Sequence, residues 1–284
     1  MATRFQAQDQ WILCRLGERL FGFPSGLVQE MLAIPPVRTV PQLPYHVRGV
    51  INLRGRVIPM IDLRVRLGLP PAEQVMQQTI QEVEGYEQAH KEWLTDLEEC
   101  VREGREFTRA ISPHDCACGH WLDTFNSDNI VLTAAVRKML DPHAMIHAVA
   151  VEVLKLVREG NEEMALKRIE QARRAELTQV IRLFGELKTA VPEAYRETAV
   201  VLEGAGAVYA VSVDQVASVE HLKQGTLADL PELATAGVNG QVSGLARRTK
   251  DDGLVLILDT DKILDESFSR EILEADLEPD PVAP

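Results

Sequence analysis

The chain has 284 residues, of which 45% are hydrophobic, and it carries a formal net charge of −13 at pH 7. This length and apolar content suffice for one large or two ordinary domains with hydrophobic cores. The acidic balance argues against a nucleic-acid partner, because proteins that bind phosphate backbones usually present a dense lysine and arginine surface.

The same composition favours a soluble, cytoplasmic protein without membrane insertion. No apolar run approaches the roughly 20 residues that span a bilayer, and the first ten residues lack the apolar core of a signal peptide. Two of the four cysteines are separated by a single residue, which favours reduced thiols over a disulfide framework.

The first part of the chain alternates short apolar runs with turn residues, a pattern typical of β-hairpins. One hairpin is predicted at residues 11–23, with its turn at 17–18, and a second at 47–61, with its turn at 54–56. The glycine of the second turn suits the positive φ that a tight turn needs. A short helical segment is predicted at 62–67.

The pattern changes between residues 82 and 188, where apolar residues recur at helical spacing and histidines and cysteines are concentrated. His90 lies on the apolar face of a predicted helix, because the apolar residues that follow it at i+4, i+7 and i+11 share that face. A later helix, rich in alternating charges, is predicted at 162–174 as the last helix of this segment.

His143 and His147 occupy a similar apolar face in another predicted helix. Their four-residue spacing brings the two imidazoles close enough to chelate one ion. We expect this helix to begin at Asp141 as the N-cap, with Pro142 in its first turn. The spacing alone is weak evidence, since it occurs by chance in many helices.

Cys116 follows the residues Ser-Pro-His-Asp at 112–115, another pattern typical of a helix start. A position near a helix N-terminus favours the thiolate over the thiol. Several imidazoles in an apolar interior are costly unless they have a partner, and zinc prefers tetrahedral nitrogen and sulfur ligands. The combination therefore favours a zinc site over histidines that merely fill the core.

The β-type pattern resumes after this segment. Apolar runs at 198–213 flank a turn at 204–206, and a further hairpin at 240–258 is followed by a short helical pattern at 259–264. This ending repeats the organisation of residues 47–67, so we predict two small, similar β-barrels from an internal duplication, with chance similarity as the alternative. No nucleotide loop, nucleophile elbow or zinc-protease motif occurs in these parts.

The block at residues 47–64 reads VRGVINLRGRVIPMIDLR and is preceded by VQEM at 28–31. Together with the sequences at 213–216 and 254–264, this block resembles the CheW-like chemotaxis coupling domain. The resemblance covers about residues 10–78 and 192–266. It implies an α+β multidomain protein with a CheW-like pair of five-stranded, SH3-like β-barrels and no chemistry of its own.

The resemblance also implies partners. Domains of this family bridge chemoreceptor cytoplasmic tips and a CheA-type histidine kinase. It would place Val28, Glu30 and Arg54 in or near partner contacts. From the residues alone, Arg54 is more often a solvated charge at a hairpin tip, and a valine at such a position is more often part of a core.

Three short motifs lie within the helical segment, in the order H-x-x-W from His90, C-x-x-G-x-W from Cys116 and H-x-x-x-H from His143. They resemble the chemoreceptor zinc-binding domain, a four-helix bundle, over about residues 86–188. The resemblance implies zinc as the cofactor and a ligand set formed by His90, Cys116, His143 and His147.

One position departs from the pattern of this second family. Cys118 stands where the family usually has an aromatic or aliphatic residue. It could compete as a ligand or resolve an oxidised Cys116, and the alternative is that it fills an apolar slot.

We therefore expect a CheW-like domain at 10–80 and 191–266, an inserted zinc-binding helical bundle at 81–190, and a flexible acidic tail at 267–284. The predicted function is a non-enzymatic chemotaxis adaptor whose coupling is modulated by zinc binding or cysteine oxidation. The alternatives are a constitutive adaptor with a purely structural zinc site and, more remotely, a zinc hydrolase. The helical bundle could also pair two copies into a homodimer.

Overall fold

A computed structural model describes residues 10–204, 206–224 and 240–264. The chain divides into a β unit, formed by residues up to 72 and from 196 onwards, and a helical unit formed by residues 73–195. The tail predicted at 267–284 lies outside the described residues. None of the described helices is long and apolar enough to cross a membrane.

The β unit contains ten described strands in two five-stranded sheets. The strands are β1 (Gln10–Leu16), β2 (Arg19–Pro24), β3 (Val28–Ala33), β4 (Val47–Leu53), β5 (Arg56–Asp62), β6 (Thr198–Gly204), β7 (Ala207–Val213), β8 (Gln215–Gln224), β9 (Val242–Arg248) and β10 (Leu254–Leu258). The four predicted hairpins, β1–β2, β4–β5, β6–β7 and β9–β10, all form by antiparallel pairing.

The two sheets repeat one strand order. One closes into a barrel in the order β1-β2-β10-β9-β8, and the other has the order β3-β6-β7-β5-β4. Each contains a single parallel pair that joins two hairpins, β2 with β10 and β5 with β7. Because β8-β1-β2-β10-β9 corresponds strand by strand to β3-β6-β7-β5-β4, the structure supports the predicted duplication. Among the described strands, only the first sheet closes by regular pairing.

Each sheet combines strands from before and after the helical unit, which lies between β5 and β6 in the chain. The short helices α1 (Leu63–Arg66) and α7 (Thr260–Ile263) follow β5 and β10 at equivalent points of the two repeats. Asp62, the first residue of the predicted short helical segment, caps α1, because its side chain accepts a hydrogen bond from the backbone N–H of Val65.

Arg48 joins two carboxylates close to the points where the chain leaves and returns to the β unit. Its Nη2 atom lies 2.7 Å from Asp62, at the end of β5, and 2.6 Å from Glu197, just before β6. The carboxylate side chains are only 6% and 10% exposed, so the guanidinium compensates charges that solvent hardly reaches.

The helical unit contains four helical segments, as the sequence predicts. They are α2 (Ala72–Glu103), α3 (Ala117–Thr124), α4 (Ile130–Arg158) and an uninterrupted run of α5 (Glu162–Ala172), a π-helical turn (Arg173–Leu177) and α6 (Thr178–Ala194). The last segment is longer than the helix predicted at 162–174. The helices extend beyond 81–190 in both directions.

The predicted start of α4 is wrong. The N-cap is Asn129, whose side chain accepts hydrogen bonds from the N–H groups of Val131 and Leu132, and Pro142 lies inside the helix. An interior proline costs roughly 3 kcal/mol. The residues upstream of it bury Leu132, Val136 and Met139 in the core, and at about 1.5–3 kcal/mol for each side chain this burial outweighs that cost.

Candidate metal centre

Four predicted ligands from three helical segments meet in the helical unit. One ligand atom from each of His90, Cys116, His143 and His147 lies within 4.8 Å of all the others. His90 comes from α2, Cys116 is the N-cap of α3, and the remaining two lie on successive turns of α4. The three histidines are buried, whereas Cys116 is partly exposed.

The backbone of α2 fixes the orientation of His90. Its Nδ1 lies 2.7 Å from the carbonyl oxygen of Tyr86, one turn earlier in the helix. The ring also contacts Phe184, with centroids 5.6 Å apart. Since Nδ1 donates to the carbonyl in this arrangement, Nε2 carries the free lone pair, and this buried atom has no hydrogen-bond partner in the described part of the chain.

The two histidines of α4 stand one turn apart, with ring centroids separated by 4.8 Å. The Nε2 atom of His143 is 3.3 Å from the Sγ atom of Cys116. Among the described residues, neither ring nitrogen of His147 has a hydrogen-bond partner of good geometry, although the carbonyls of Ala110 and Ile111 favour its protonated form. The cluster thus contains ring nitrogens, Nε2 of His90 and both nitrogens of His147, that have no hydrogen-bond partner of good geometry and could coordinate a metal ion.

Cys116 is held by the first turn of α3. The backbone N–H of Gly119 donates a hydrogen bond to its Sγ atom at 3.2 Å. A Cβ atom at Gly119 would lie only 1.7 Å from the carbonyl oxygen of Pro113. The glycine of the C-x-x-G motif therefore lets the chain before α3 pack against the helix that positions the thiol.

The tryptophan of the first motif supports the other side of the cluster. The indole N–H of Trp93 donates to the carbonyl of Ala110 at 2.8 Å. Its ring packs against His147 and Phe107, with centroids 4.9 and 5.6 Å away. Trp93 consequently connects α2, the segment before α3, and a candidate ligand on α4.

Burial decides the charge of the candidate ligands. Burial and the neighbouring His90 lower the pKa of His143 to about 3, and the same causes lower the pKa of His147 to about 4. The pKa of His90 is also lowered by burial, although its bond to the Tyr86 carbonyl opposes this. All three rings are therefore neutral at pH 7, the form that binds a metal.

The expectation that the helix start favours the Cys116 thiolate is wrong for the metal-free site. Burial raises the pKa of Cys116, and this outweighs the opposing effect of the Gly119 N–H. The free energy that the half-buried thiolate would lose through desolvation exceeds what the backbone N–H groups of Gly119, Cys118 and Cys116 contribute. A bound cation would reverse this balance, because a coordinating thiol is deprotonated.

Three neutral imidazoles and one thiol fit a tetrahedral zinc ion. Bond lengths of about 2.0–2.3 Å imply ligand–ligand distances of roughly 3.3–3.7 Å. The separation of 3.3 Å between Cys116 and His143 matches this range, and the largest separation of 4.8 Å exceeds it by about 1 Å. Buried donor atoms without partners at His90 and His147 are a further sign of fit.

Other polar residues of the helical unit lie outside the cluster. Cys118 is buried in the bundle core with an exposed fraction of 2%, and burial raises its pKa. Glu92 is exposed and accepts a hydrogen bond from Gln88, whereas Glu152 pairs with Arg168. Neither carboxylate is placed as a general base beside the cluster.

The sequence reasoning missed two contacts of the site. The Tyr86 carbonyl lies four residues before His90 and could have been identified from helical spacing. Phe184 could not, because it lies in α6, 94 residues after His90, and meets it only through tertiary packing.

The predicted partner residues lie in the β unit, and the structure brings two of them together. Arg54 pairs with Glu30 at 2.7 Å, and its own side chain is 81% exposed. Arg54 also adopts a φ of +52° in the β4–β5 turn, which is uncommon for a residue with a side chain. Val28, at the start of β3, instead packs partly buried against the β core.

Two sequence families match the chain. The profile of the CheW-like domain matches residues 10–86 and 171–268, more than half of the 284 residues. The profile of the chemoreceptor zinc-binding domain matches residues 90–154, between these two segments. The chain therefore belongs to the CheW-like domain family and carries an inserted chemoreceptor zinc-binding domain.

Individual proteins match parts of the chain. "Probable chemotaxis protein CheW" from Rhizobium etli is 40% identical over 68 residues, which cover 24% of this chain and 44% of that protein. "Chemotaxis protein CheW" from Treponema pallidum is 38% identical over 65 residues, which cover 23% and 38%. The chain thus matches less than half the length of these relatives.

A solved structure is also similar. Scaffolding protein TtCheW from Thermoanaerobacter tengcongensis aligns with a TM-score of 0.41 and 14% identity. The alignment covers 94% of this chain and 95% of that one.

Proposed function

We propose that this protein is a chemotaxis signalling adaptor that couples chemoreceptors to a CheA-type histidine kinase. In this proposal, zinc binding or oxidation of Cys116 at the inserted helical unit modulates the coupling. Membership of the CheW-like family and the similarity to chemotaxis proteins support the adaptor role rather than an enzyme. The inserted zinc-binding family supports the metal.

The observation that carries the modulation is the four-ligand cluster itself. Its members come from α2, α3 and α4, so a bound zinc ion would tie three helical segments together. A ligand can shift a conformational equilibrium only by its differential affinity for the two states, and about 1.4 kcal/mol suffices for a ~10-fold shift. A cluster whose ligand atoms must move closer together to bind metal would have different metal affinities in its open and contracted arrangements, and this supports the proposal.

Two alternative functions make different demands. A constitutive adaptor with a structural zinc needs the metal only for folding, so its metal-free form would unfold. A zinc hydrolase needs three protein ligands, an open position and a nearby base. The four convergent ligands and the outward placement of Glu92 and Glu152 disfavour the hydrolase.

For the partner surface, we propose the region around Val28, Glu30 and Arg54, in which Val28 is partly buried and the other two residues form an ion pair. An exposed ion pair of this kind contributes only about 0–1 kcal/mol to stability. Arg54→Ala should therefore weaken binding to the kinase or the receptor tip while leaving the unfolding transition unchanged. A variant that binds both partners normally would remove Arg54 from the interface.

Metal content is the first test. Protein purified without added metal should contain about one zinc ion per chain by mass spectrometry, and less in Cys116→Ala and His143→Ala. The second test compares kinase binding of the zinc-loaded and metal-free protein. A severalfold difference that disappears in His143→Ala supports modulation, whereas equal binding by a folded metal-free protein excludes modulation by zinc. A metal-free protein that unfolds would instead favour the purely structural zinc site.

The oligomeric state belongs to the same proposal, because the helical unit could pair two copies. Sedimentation of the loaded and metal-free forms over a range of concentrations measures this directly. A monomer in both forms would exclude the homodimer.

A further inference from the structure

A cavity of about 280 Å³ opens beside the candidate metal centre. Three of the four candidate ligands, His90, Cys116 and His147, contribute to its lining. His143 does not, and its side chain is 3% exposed. The cavity therefore approaches the cluster from one side, past α2, the start of α3 and the segment before it.

The cavity has a buried floor and an exposed rim. His90, His147, Trp93 and Cys118 are buried, whereas Ala89 and Ala117 are exposed. Because the two alanines end at Cβ, they leave the opening between α2 and α3 unfilled. Cys116, which is partly exposed, lies between the floor and the rim.

The remaining exposed residue of the rim is Arg109. Its Nε atom lies 2.9 Å from Asp96, so a carboxylate counters the guanidinium charge. An opening whose arginine is compensated in this way does not strongly repel a cation.

A metal ion can reach three buried imidazoles either through an opening or through unfolding of the bundle. An opening is the cheaper route, because exposure of the core would cost a large part of the stability of the unit. We propose that this cavity is the route by which divalent metal ions and small chelators reach the ligand cluster, with Ala89 and Ala117 as its gate. The inference rests on the proposed metal site.

The gate is predicted to control rates rather than affinity. A bulky side chain at the rim obstructs the passage but contacts no donor atom, so it should slow loading and release by the same factor. The dissociation constant, which is the ratio of these rates, would then stay constant. A residue that merely supported the fold of the site would change the affinity instead.

The test uses the full-length zinc-loaded protein and the variants Ala89→Phe, Ala117→Phe and both together. Zinc release into an excess of a chromophoric chelator is followed by stopped flow, and affinity by competition at equilibrium. We expect release from the double variant to be at least about 5-fold slower, with the affinity changed less than about 2-fold. Ala89→Phe alone keeps the test informative should Ala117→Phe disturb the short helix α3.

Ala134→Phe is the matched control, because Ala134 is an exposed helical alanine on α4 that does not line the cavity. Its release rate should equal that of the original protein. Equal release from the gate variants, or an equal slowing in the control, would overturn the proposal and indicate exchange through bundle opening.

A second measurement tests the access route in protein that contains no metal. In metal-free protein, the alkylation rate of Cys116 is measured by mass spectrometry, while Cys14, Cys100 and Cys118 are buried. The double variant should react several times more slowly than Ala134→Phe. If the original protein binds no zinc, the proposed function fails, and this reaction still decides the route: slower labelling supports it, and unchanged labelling overturns it.

Discussion

Three imidazole rings and one thiol share a small apolar volume in the helical unit, and burial penalises charge on each of them. The pKa values of His143 and His147, about 3 and 4, are the result. Neutral rings with free lone pairs form a poor protein core but a good ligand set. The bond from His90 to the Tyr86 carbonyl completes this arrangement by selecting the nitrogen that faces the cluster.

Gly119 gives the sharpest prediction for a single residue. In Gly119→Ala, a Cβ atom 1.7 Å from the Pro113 carbonyl would force the start of α3 away from the chain before it. The Gly119 N–H would then move away from the Cys116 sulfur. We expect zinc affinity to fall about 10- to 100-fold and the unfolding free energy of the helical unit to fall by about 1–3 kcal/mol. Competition titration and thermal unfolding measure the two effects.

Gly185→Ala is the control for this substitution. Gly185 lies in α6, and no atom would approach its added Cβ within 4 Å. Alanine should stabilise the helix there by up to about 1 kcal/mol. Normal zinc affinity in Gly119→Ala would show that the contact with Pro113 relaxes without disturbing Cys116.

Between elements, Arg48 and its two carboxylate partners, Asp62 and Glu197, form a polar connection within the β unit. It joins the end of β5, with the cap of α1, to the residue before β6. Burial raises the pKa of Glu197, although Arg48 opposes this shift. The arginine thus supplies a positive charge beside two carboxylates that are largely removed from solvent.

Arg48→Met is expected to lower the unfolding free energy by about 2–4 kcal/mol at neutral pH, because Asp62 and Glu197 lose their counter-ion. Without Arg48, the folded-state pKa of Glu197 rises further above its unfolded value. The folded variant then binds a proton that the unfolded chain does not, so its stability increases as the pH falls through that pKa. Urea unfolding at about pH 7 and about pH 5 should show the defect shrinking at the lower pH.

Arg48→Met with Glu197→Leu is the internal control, since it removes the group that titrates. The pH-dependent part of the defect should disappear in this double variant. If the loss of unfolding free energy in Arg48→Met were equal at both pH values, Glu197 would remain charged and become hydrated instead of binding a proton.

On the scale of the whole molecule, the helical unit is inserted between two structural repeats of the β unit. Residues 73–195 follow the helix α1 that ends the first repeat and precede β6, which begins the second. The strands of both repeats are shared between the two sheets. Because the insertion lies in the connection between β5 and β6, it interrupts no strand and no strand pairing in either sheet.

Replacement of residues 73–195 by a short glycine-serine linker should therefore leave a folded β unit. Arg48 holds Asp62 close to Glu197, so the end of β5 and the start of β6, on either side of the replaced segment, lie near each other. We expect a cooperative unfolding transition and no bound zinc. Circular dichroism during thermal unfolding and metal analysis test these outcomes. Aggregation or a loss of β structure would show that the β unit depends on the helices.

Much of this architecture could be predicted from local sequence patterns. Alternating apolar residues and turn glycines predicted the four hairpins, and the pattern from Asp62 predicted a short helix. The resemblance of the three short motifs to a zinc-binding family predicted the candidate ligands. Such signals depend on neighbours within a few residues, where spacing and side-chain chemistry are visible in the sequence.

Tertiary structure decided the features that depend on burial between distant segments. The sequence by itself determined the hairpins, the helical insertion and the identity of the clustered side chains. The packed bundle decided that α4 continues through Pro142, that Cys116 retains its proton without metal, and that Ala89 and Ala117 flank an opening. The physical reason is that desolvation and core packing depend on which distant segments meet, and local spacing does not specify this.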